Sequence, residues 1–298
     1  DYRRNSLLRR VERRMSLSGV AKLGDYLELL RQHESEVTAL AEDILISVTC
    51  FFRNPEVWRT LTERAIPEML EQKNDGDTIR VWVPGCATGE EVYSYAILLN
   101  EAIEASDKRL SLQIFGTDID ERSRKIARAA IYPRGIADDV GERYLKKYFK
   151  PVADDRYVII PRLREKVTFA RQNILSDPPF SRMDLVSCRN LLIYLDTATQ
   201  KRVIYFLHFA LREGGIAVLG TSETIGKAGD ALEPIHREHR IFRRAGVHPM
   251  RAQNGGITIP TGSRPAPNAD PIPPRRDGSR SMEETSRALI MDHFDAVS

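Results

Sequence analysis

The sequence predicts an α/β chain centred on a doubly wound, largely parallel sheet. Three observations predict it. A short apolar run over 79–83 is bounded by Asp75-Gly76-Asp77 before and Pro84-Gly85 after, as a buried strand would be. Gly85 and Gly89 follow, and then Val92, Ala96, Leu99 and Ile103 recur at helical spacing. Strand, glycine turn and helix form the opening unit of a nucleotide-type sheet, where bare backbone lets a ligand come close. Third, the stretch 112–118 reads as the second parallel strand and ends in Asp118, where such sheets accept ribose hydroxyls. Asp120 competes for that role and otherwise caps the following helix.

The chain ahead of this unit reads as helical over 1–46. Its first sixteen residues hold six arginines, Arg3, Arg4, Arg9, Arg10, Arg13 and Arg14, against two acids, Asp1 and Glu12. Leu7, Leu8, Val11 and Met15 share one helical stripe, and Arg9, Arg10 and Arg13 fall on the far side. The plain reading is a solvated face. A basic docking face is the sharper one, and it suits an acidic protein better than nucleic acid because no aromatic residues interleave it. Helices over about 20–33 and 34–46 follow. A connector then carries adjacent Phe51 and Phe52 between Thr49 and Arg53, and Pro55 opens a helix through Trp58, Leu61 and Ile66.

The glycine turn lacks the spacing G-x-G-x-x-G, and Glu90 and Glu91 stand where the central helix begins. A pyrophosphate needs that helix start as an anion site, so two carboxylates there would repel it. A ligand with a cationic end is welcomed instead. S-adenosylmethionine fits, with a nucleoside, a sulfonium, an ammonium and no phosphate. Glutamates at a helix start also complement its dipole. That accounts for one of the pair and leaves the other facing something.

From about Pro133 the alternation of strand and helix breaks. Segments 144–149, 157–160 and 167–171 look like short strands on polar turns, which suits an antiparallel insertion over about 133–171. Another central strand follows at 183–187. Thr197 and Gln200 have the spacing of a capping box, Gly214-Gly215 ends the helix after it, and 216–220 and 240–244 read as strands. The 298 residues leave room for one large domain with appendages, and 42% hydrophobic with 29% charged residues is ordinary for a soluble protein. No apolar run is long enough to span a bilayer, and no signal-peptide core is visible. Cys50, Cys86 and Cys188 have no metal-ligand spacing, and their odd number suggests a reducing, cytoplasmic setting. A net charge of +3 does not imply a nucleic-acid partner.

Several stretches, in order over roughly 1–246, resemble the chemotaxis receptor methyltransferases, the CheR family. They are Thr49-Cys50-Phe51-Phe52-Arg53, Ala87-Thr88-Gly89-Glu90-Glu91-Val92-Tyr93-Ser94, Gly116-Thr117-Asp118-Ile119-Asp120, Cys188-Arg189-Asn190-Leu191-Leu192-Ile193-Tyr194 and Ser222-Glu223. The resemblance implies an enzyme that transfers a methyl group from S-adenosylmethionine to glutamate side chains of chemoreceptors, leaving S-adenosylhomocysteine. It implies an N-terminal helical domain over 1–46 and a Rossmann-like methyltransferase domain over 47–246 with a small β-subdomain. Cofactor contacts are implied at Ser47, Thr49, Arg53, Glu91, Asp118, Asn173, Ile174, Asn190 and Leu191. Asp118 would take the ribose, and Glu91 the cationic amino-acid end or a polar group near it. Arg53 and Tyr194 match positions beside the reacting centre. Ser47 stands where the best-known members carry asparagine.

Some members bind the receptor's C-terminal pentapeptide as an added strand on the β-subdomain, beside a glycine-rich loop. Here Lys150-Pro151-Val152-Ala153-Asp154-Asp155-Arg156 has no glycine, which argues against tethering and leaves docking on receptor helices to Arg9, Arg10 and Arg13. A module that senses the cofactor or scaffolds without turnover is the competing class. A nicotinamide oxidoreductase is disfavoured by the glutamates at the helix start. Residues 247–298 hold seven of the sixteen prolines and read as a flexible linker, with a possible helix over 281–297 and the expectation of a longer parent protein.

Overall fold

The computed structural model describes residues 4–44, 49–223, 225 and 232–245. The expected contact at Ser47 and the expected linker and helix beyond 246 lie outside the described residues. The described chain falls into two compact units, divided between the third helix and residue 49.

The first unit contains α1 (Arg4–Leu17), α2 (Leu23–Gln32) and α3 (Glu34–Ile44). Val11, Tyr26, Leu30, Val37 and Leu40 form its core. A polar knot closes that core. The Arg14 guanidinium donates to both carboxylate oxygens of Glu36 at 3.0 and 2.6 Å, and the Tyr26 hydroxyl donates to Glu36 at 2.8 Å. Burial would raise the Glu36 carboxyl, but these donors outweigh it and hold it below its usual range.

The second unit is built on a seven-stranded sheet. In chain order its strands are β1 (Thr78–Pro84), β2 (Ser111–Asp118), β6 (Val167–Arg171), β7 (Met183–Cys188), β8 (Leu211–Leu219), β9 (Leu232–His236) and β10 (Ile241–Arg244). Across the sheet the order is β6-β2-β1-β7-β8-β10-β9. The first five in that order run parallel, and β10 runs antiparallel to both β8 and β9. The order reverses direction between β1 and β7. The crevice beyond the strands' carboxyl ends at such a switch point is where open α/β sheets bind ligands.

Both faces of the sheet are covered. Val81 and Val83 of β1 point into one core, with α4 (Pro55–Thr60), α5 (Ile66–Glu71) and α6 (Glu90–Glu104). Trp82, between them, points into the other core, which α11 (Thr197–Ala210) covers with Val203, Ile204 and Leu207. That is the pleat at work, and it explains why the strand reads as an unbroken apolar run. A single π turn, Leu61–Ala65, joins α4 to α5.

The insertion lies between α7 (Glu121–Ala129) and β6. Its three-stranded antiparallel sheet has the order β3-β5-β4, from β3 (Ile131–Pro133), β4 (Phe149–Val152) and β5 (Arg156–Ile159). Three short helices accompany it: α8 (Ile136–Val140), α9 (Glu142–Tyr148) and α10 (Pro161–Arg164). Two expectations fail here. Of the stretch 144–149, residues 144–148 are the end of helix α9, because Tyr144 and Tyr148 sit one helical turn apart and pack inward together, and Phe149 opens β4. Val167–Arg171 is not part of the insertion but edge strand β6, paired in parallel with β2 from Ile114↔Val167 to Asp118↔Arg171.

Two smaller corrections concern α11. Its N-cap is Asp196, which accepts from the Thr199 N–H at 2.8 Å, so Thr197 is already inside the helix. Gln200 instead donates to the Leu192 and Leu195 carbonyls at 2.9 and 3.0 Å. The helix stops at Ala210, and Gly214-Gly215 lies within β8, where the register against β7 shifts. Among the described residues no helix is long and apolar enough to cross a membrane.

Candidate active site

Four parallel strands end on one edge, and each delivers part of the candidate site. After β1 the chain turns through Gly85 and Gly89 into α6. Gly89 has φ +94°, and a side chain there would meet the Ala127 Cβ at 2.9 Å, so the turn accepts only glycine without rearrangement. At the end of β2, the Asp118 carboxylate accepts from the Ala87 N–H at 2.8 Å and from the Asp120 N–H at 2.9 Å, one on each oxygen. The Ile119 N–H bonds to the same half-buried carboxylate, which keeps acceptor capacity beyond these three donors. Burial pushes this carboxyl up, and the N–H donors offset that only in part. Asp120 takes the capping role, accepting from the Arg122 and Ser123 N–H groups at the start of α7.

The two glutamates at the start of α6 separate. Glu90 accepts from the Thr88 hydroxyl at 2.6 Å. Glu91 turns toward β7, where it accepts from Ser187 at 2.7 Å and from Arg189 at 3.2 Å. Ser187 in turn accepts from the Tyr95 hydroxyl at 3.0 Å. Burial raises both glutamates above their ordinary range, and for Glu91 the main opposing influence is Arg189. Glu91 is therefore a partly neutralised carboxylate, not an open one.

Arg189 joins a second segment to this edge. Its side chain is 0% exposed and also donates to the Arg53 carbonyl and the Asn54 amide oxygen, both at 2.8 Å, with its guanidinium 5.6 Å from the Trp58 ring centre. The Trp58 indole N–H donates to the same Arg53 carbonyl at 2.9 Å. The paired phenylalanines anchor the connector from the other side. Phe51 is buried against Tyr132 and Phe149 of the insertion, and Phe52 packs on Trp58 and Tyr144. The Phe52 N–H donates to Ser94 of α6 at 3.0 Å. Thr49 and Arg53, both half-exposed, ride on this pinned segment.

Asn173 and Ile174 follow β6. The Asn173 side chain accepts from the Leu175 N–H at 3.0 Å, and Asp177 accepts from the Asn173 N–H at 2.8 Å. Asn190 and Leu191 follow β7, Asn190 with φ +59° and Leu191 packed beside Gly85. Tyr194 closes a 3₁₀ turn, Leu192–Tyr194, and is half-buried. Thr49, Arg53, Glu91, Asp118, Asn173, Ile174, Asn190, Leu191 and Tyr194 thus all belong to the second unit. Arg9, Arg10 and Arg13 belong to the first. There Arg9 and Arg13 are exposed, Arg10 is half-buried, and Arg13 lies 3.5 Å from Asp43.

Residues 47–241 match the family description "CheR methyltransferase, SAM binding domain", and residues 1–45 match "CheR methyltransferase, all-alpha domain". The chain belongs to the CheR methyltransferase family. It is 39% identical over 275 residues to an uncharacterised 104.1 kDa protein of Rhodobacter capsulatus, covering 92% of this chain and 29% of that one. It is 34% identical to the methyltransferase Cher3 of Pseudomonas putida, over 69% of this chain and 76% of that one. Chemotaxis protein methyltransferase 1 of Pseudomonas aeruginosa is 26% identical, over 79% of this chain and 88% of that one. The chain therefore spans less than a third of its Rhodobacter relative and most of the other two.

As a CheR-family chain it carries an S-adenosylmethionine-binding methyltransferase domain. The donor set fits that cofactor. Asp118 keeps acceptor capacity for a ribose hydroxyl, and the first turn presents carboxylates where a phosphate would need bare N–H groups. The sequence alone gives no role to Arg189 or Glu223. A charged residue directly after a fully buried strand was the available signal for Arg189.

Proposed function

We propose that this chain methylates glutamate side chains of chemoreceptors, giving glutamyl methyl esters, and that it does so in the cytoplasm. The observation that carries the reading is the placement of the segments bearing Arg53, Asp118, Asn190 and Tyr194: Asp118 ends β2, Asn190 and Tyr194 follow β7, and the Arg53 carbonyl is held by Arg189, just past β7. Membership of the family, and relatives named chemotaxis protein methyltransferases, support the acceptor.

Asp118 holds the ribose through the acceptor capacity that its backbone N–H donors leave. Thr49, Asn173, Ile174, Asn190 and Leu191 complete the cofactor's surroundings, and Glu91, tempered by Arg189, faces its cationic end. When bound, the cofactor supplies a methyl group on a sulfonium, a good leaving group. The acceptor glutamate has an ordinary pKa of about 4.3, is ionised at neutral pH and needs no base. The protein's task is then to position the carboxylate and exclude water. Arg53 orients it with a planar fork of donors, and Tyr194 donates one hydrogen bond. The aromatic ring group Phe52, Trp58 and Tyr144 beside Arg53 keeps that side apolar. Receptor helices dock on the face of α1 that carries Arg9, Arg10 and Arg13.

The test is incubation with methyl-labelled S-adenosylmethionine and cytoplasmic receptor fragments. Label released as methanol by mild base identifies esters. Label that is stable to base, or none transferred, overturns the glutamate assignment.

A further inference from the structure

Glu223 is 3% exposed and sits just after β8. One carboxylate oxygen accepts the Leu192 N–H at 2.7 Å, and the other accepts the Gly220 N–H at 2.6 Å. The Asn190 and Ile193 N–H groups bond to the same carboxylate. A single buried anion thus gathers three amides from the segment 190–193 and a fourth from its own strand end. Backbone N–H groups converging on one point form an anion nest, and here the anion is built into the chain.

The surroundings are shaped to this arrangement. A side chain at Gly220 would lie 2.8 Å from the Glu223 carboxylate and 2.9 Å from the Asn190 nitrogen. Carbonyls of the same stretch are held as well, because Gln200 donates to those of Leu192 and Leu195. The 3₁₀ turn that ends in Tyr194 is therefore gripped through both N–H groups and carbonyls. Asn190 is held at φ +59°, a conformation that costs a non-glycine residue energy unless its neighbours enforce it.

We propose that Glu223 is a positioning residue for methyl transfer: its carboxylate sets the backbone of 190–194 and so places Asn190 against the cofactor and Tyr194 against the acceptor. The inference rests on the roles given to those two residues above. It assigns Glu223 no contact with either substrate.

The test compares Glu223→Gln and Gly220→Ala with the wild-type full chain. Glu223→Gln keeps the shape but turns an amide N–H toward backbone N–H groups. Gly220→Ala keeps the charge but pushes the carboxylate off its seat. Both should weaken S-adenosylhomocysteine by calorimetry and lower turnover at saturating cofactor by about tenfold. Glu223→Asp should restore part of each. In a Tyr194→Phe background neither variant should lower turnover further, whereas with Asp118→Ala the losses should multiply. Losses that multiply with Tyr194→Phe as well, alongside a lowered melting temperature, would mean that Glu223 only stabilises the fold. Should Glu223→Gln not fold, Gly220→Ala and Glu223→Asp decide. Amide exchange at Leu192 and Gly220 in the wild type reads the grip without any assay of methyl transfer. Fast exchange there overturns the proposal even if the enzyme is active, and slow exchange in a protein that transfers no methyl to receptor faults the function reading instead.

Discussion

Replacing Arg189 by methionine removes a cation whose side chain is fully buried while its partner Glu91 is only 14% exposed. Three hydrogen bonds go with it, to Glu91, the Arg53 carbonyl and Asn54. Removing one partner of a buried ion pair typically costs about 3–5 kcal/mol, because the other charge stays buried without compensation. In a unit of roughly 200 residues each kcal/mol shifts the melting temperature by about 2–4 °C, so the expected drop is about 6–20 °C. The deficit should depend on pH. Burial already raises the Glu91 carboxyl, and losing Arg189, the largest opposing influence, raises it further. A carboxyl raised in the folded state destabilises that state when ionised, which happens above its ordinary pKa of about 4.3. Protonation on the folded side relieves the cost as pH falls through the raised value. Thermal unfolding of Arg189→Met against wild type should therefore show a larger gap at pH 8 than at pH 5. Adding Glu91→Gln should close part of the pH 8 gap, since no unpaired charge remains. A gap that is the same at both pH values, and unmoved by Glu91→Gln, would refute the charge argument and leave Arg189 a packing residue.

Asp118→Ala should weaken S-adenosylmethionine and S-adenosylhomocysteine alike by roughly ten- to a hundred-fold, the loss of a charge-assisted hydrogen bond worth about 1.5–3 kcal/mol. Equal calorimetric affinity before and after would take Asp118 out of the site. Tyr194→Phe should keep S-adenosylhomocysteine affinity and lower turnover; a fall in affinity with turnover preserved would make Tyr194 a binding residue. Reversing Arg9, Arg10 and Arg13 to glutamate should raise the KM for receptor and leave cofactor affinity alone. Exposed pairs are worth about 0–1 kcal/mol each and are screened within about 8 Å at physiological salt, so added salt should mimic the change in the wild type. Normal receptor methylation by the triple variant at low salt would show a solvated face only.

The sequence determined the elements whose signal is local. β1 was legible because a strand covered on both faces is apolar at every position, and Trp82 between Val81 and Val83 keeps that run unbroken. The turn through Gly85 and Gly89 and the acid ending β2 were legible because each role depends on a residue type at a fixed offset from a strand end. The ligand's edge followed from these, since a strand–turn–helix unit places its ligand at the carboxyl ends of the strands; the reversal of order between β1 and β7 came only with the strand pairing. The strand reading failed at 144–148 because closely spaced aromatic residues serve a strand and a one-turn helical face equally well.

Features that depend on pairing across long stretches of chain emerge only once the chain is folded. Val167–Arg171 is an edge strand of the main sheet because it docks on β2, whose paired residues run from Ile114 to Asp118, and nothing within so short a strand encodes a distant partner. The same holds for buried charges. Glu91 looks from its position like an open anion at a helix start, yet it lies against Arg189, just past the end of β7, the strand that neighbours β1. Glu223 looks like a polar residue in a loop, yet it collects amides from a segment thirty residues away. A buried charge must find its compensation wherever the fold brings it, because the low dielectric that makes isolation costly also makes a distant partner's hydrogen bond strong.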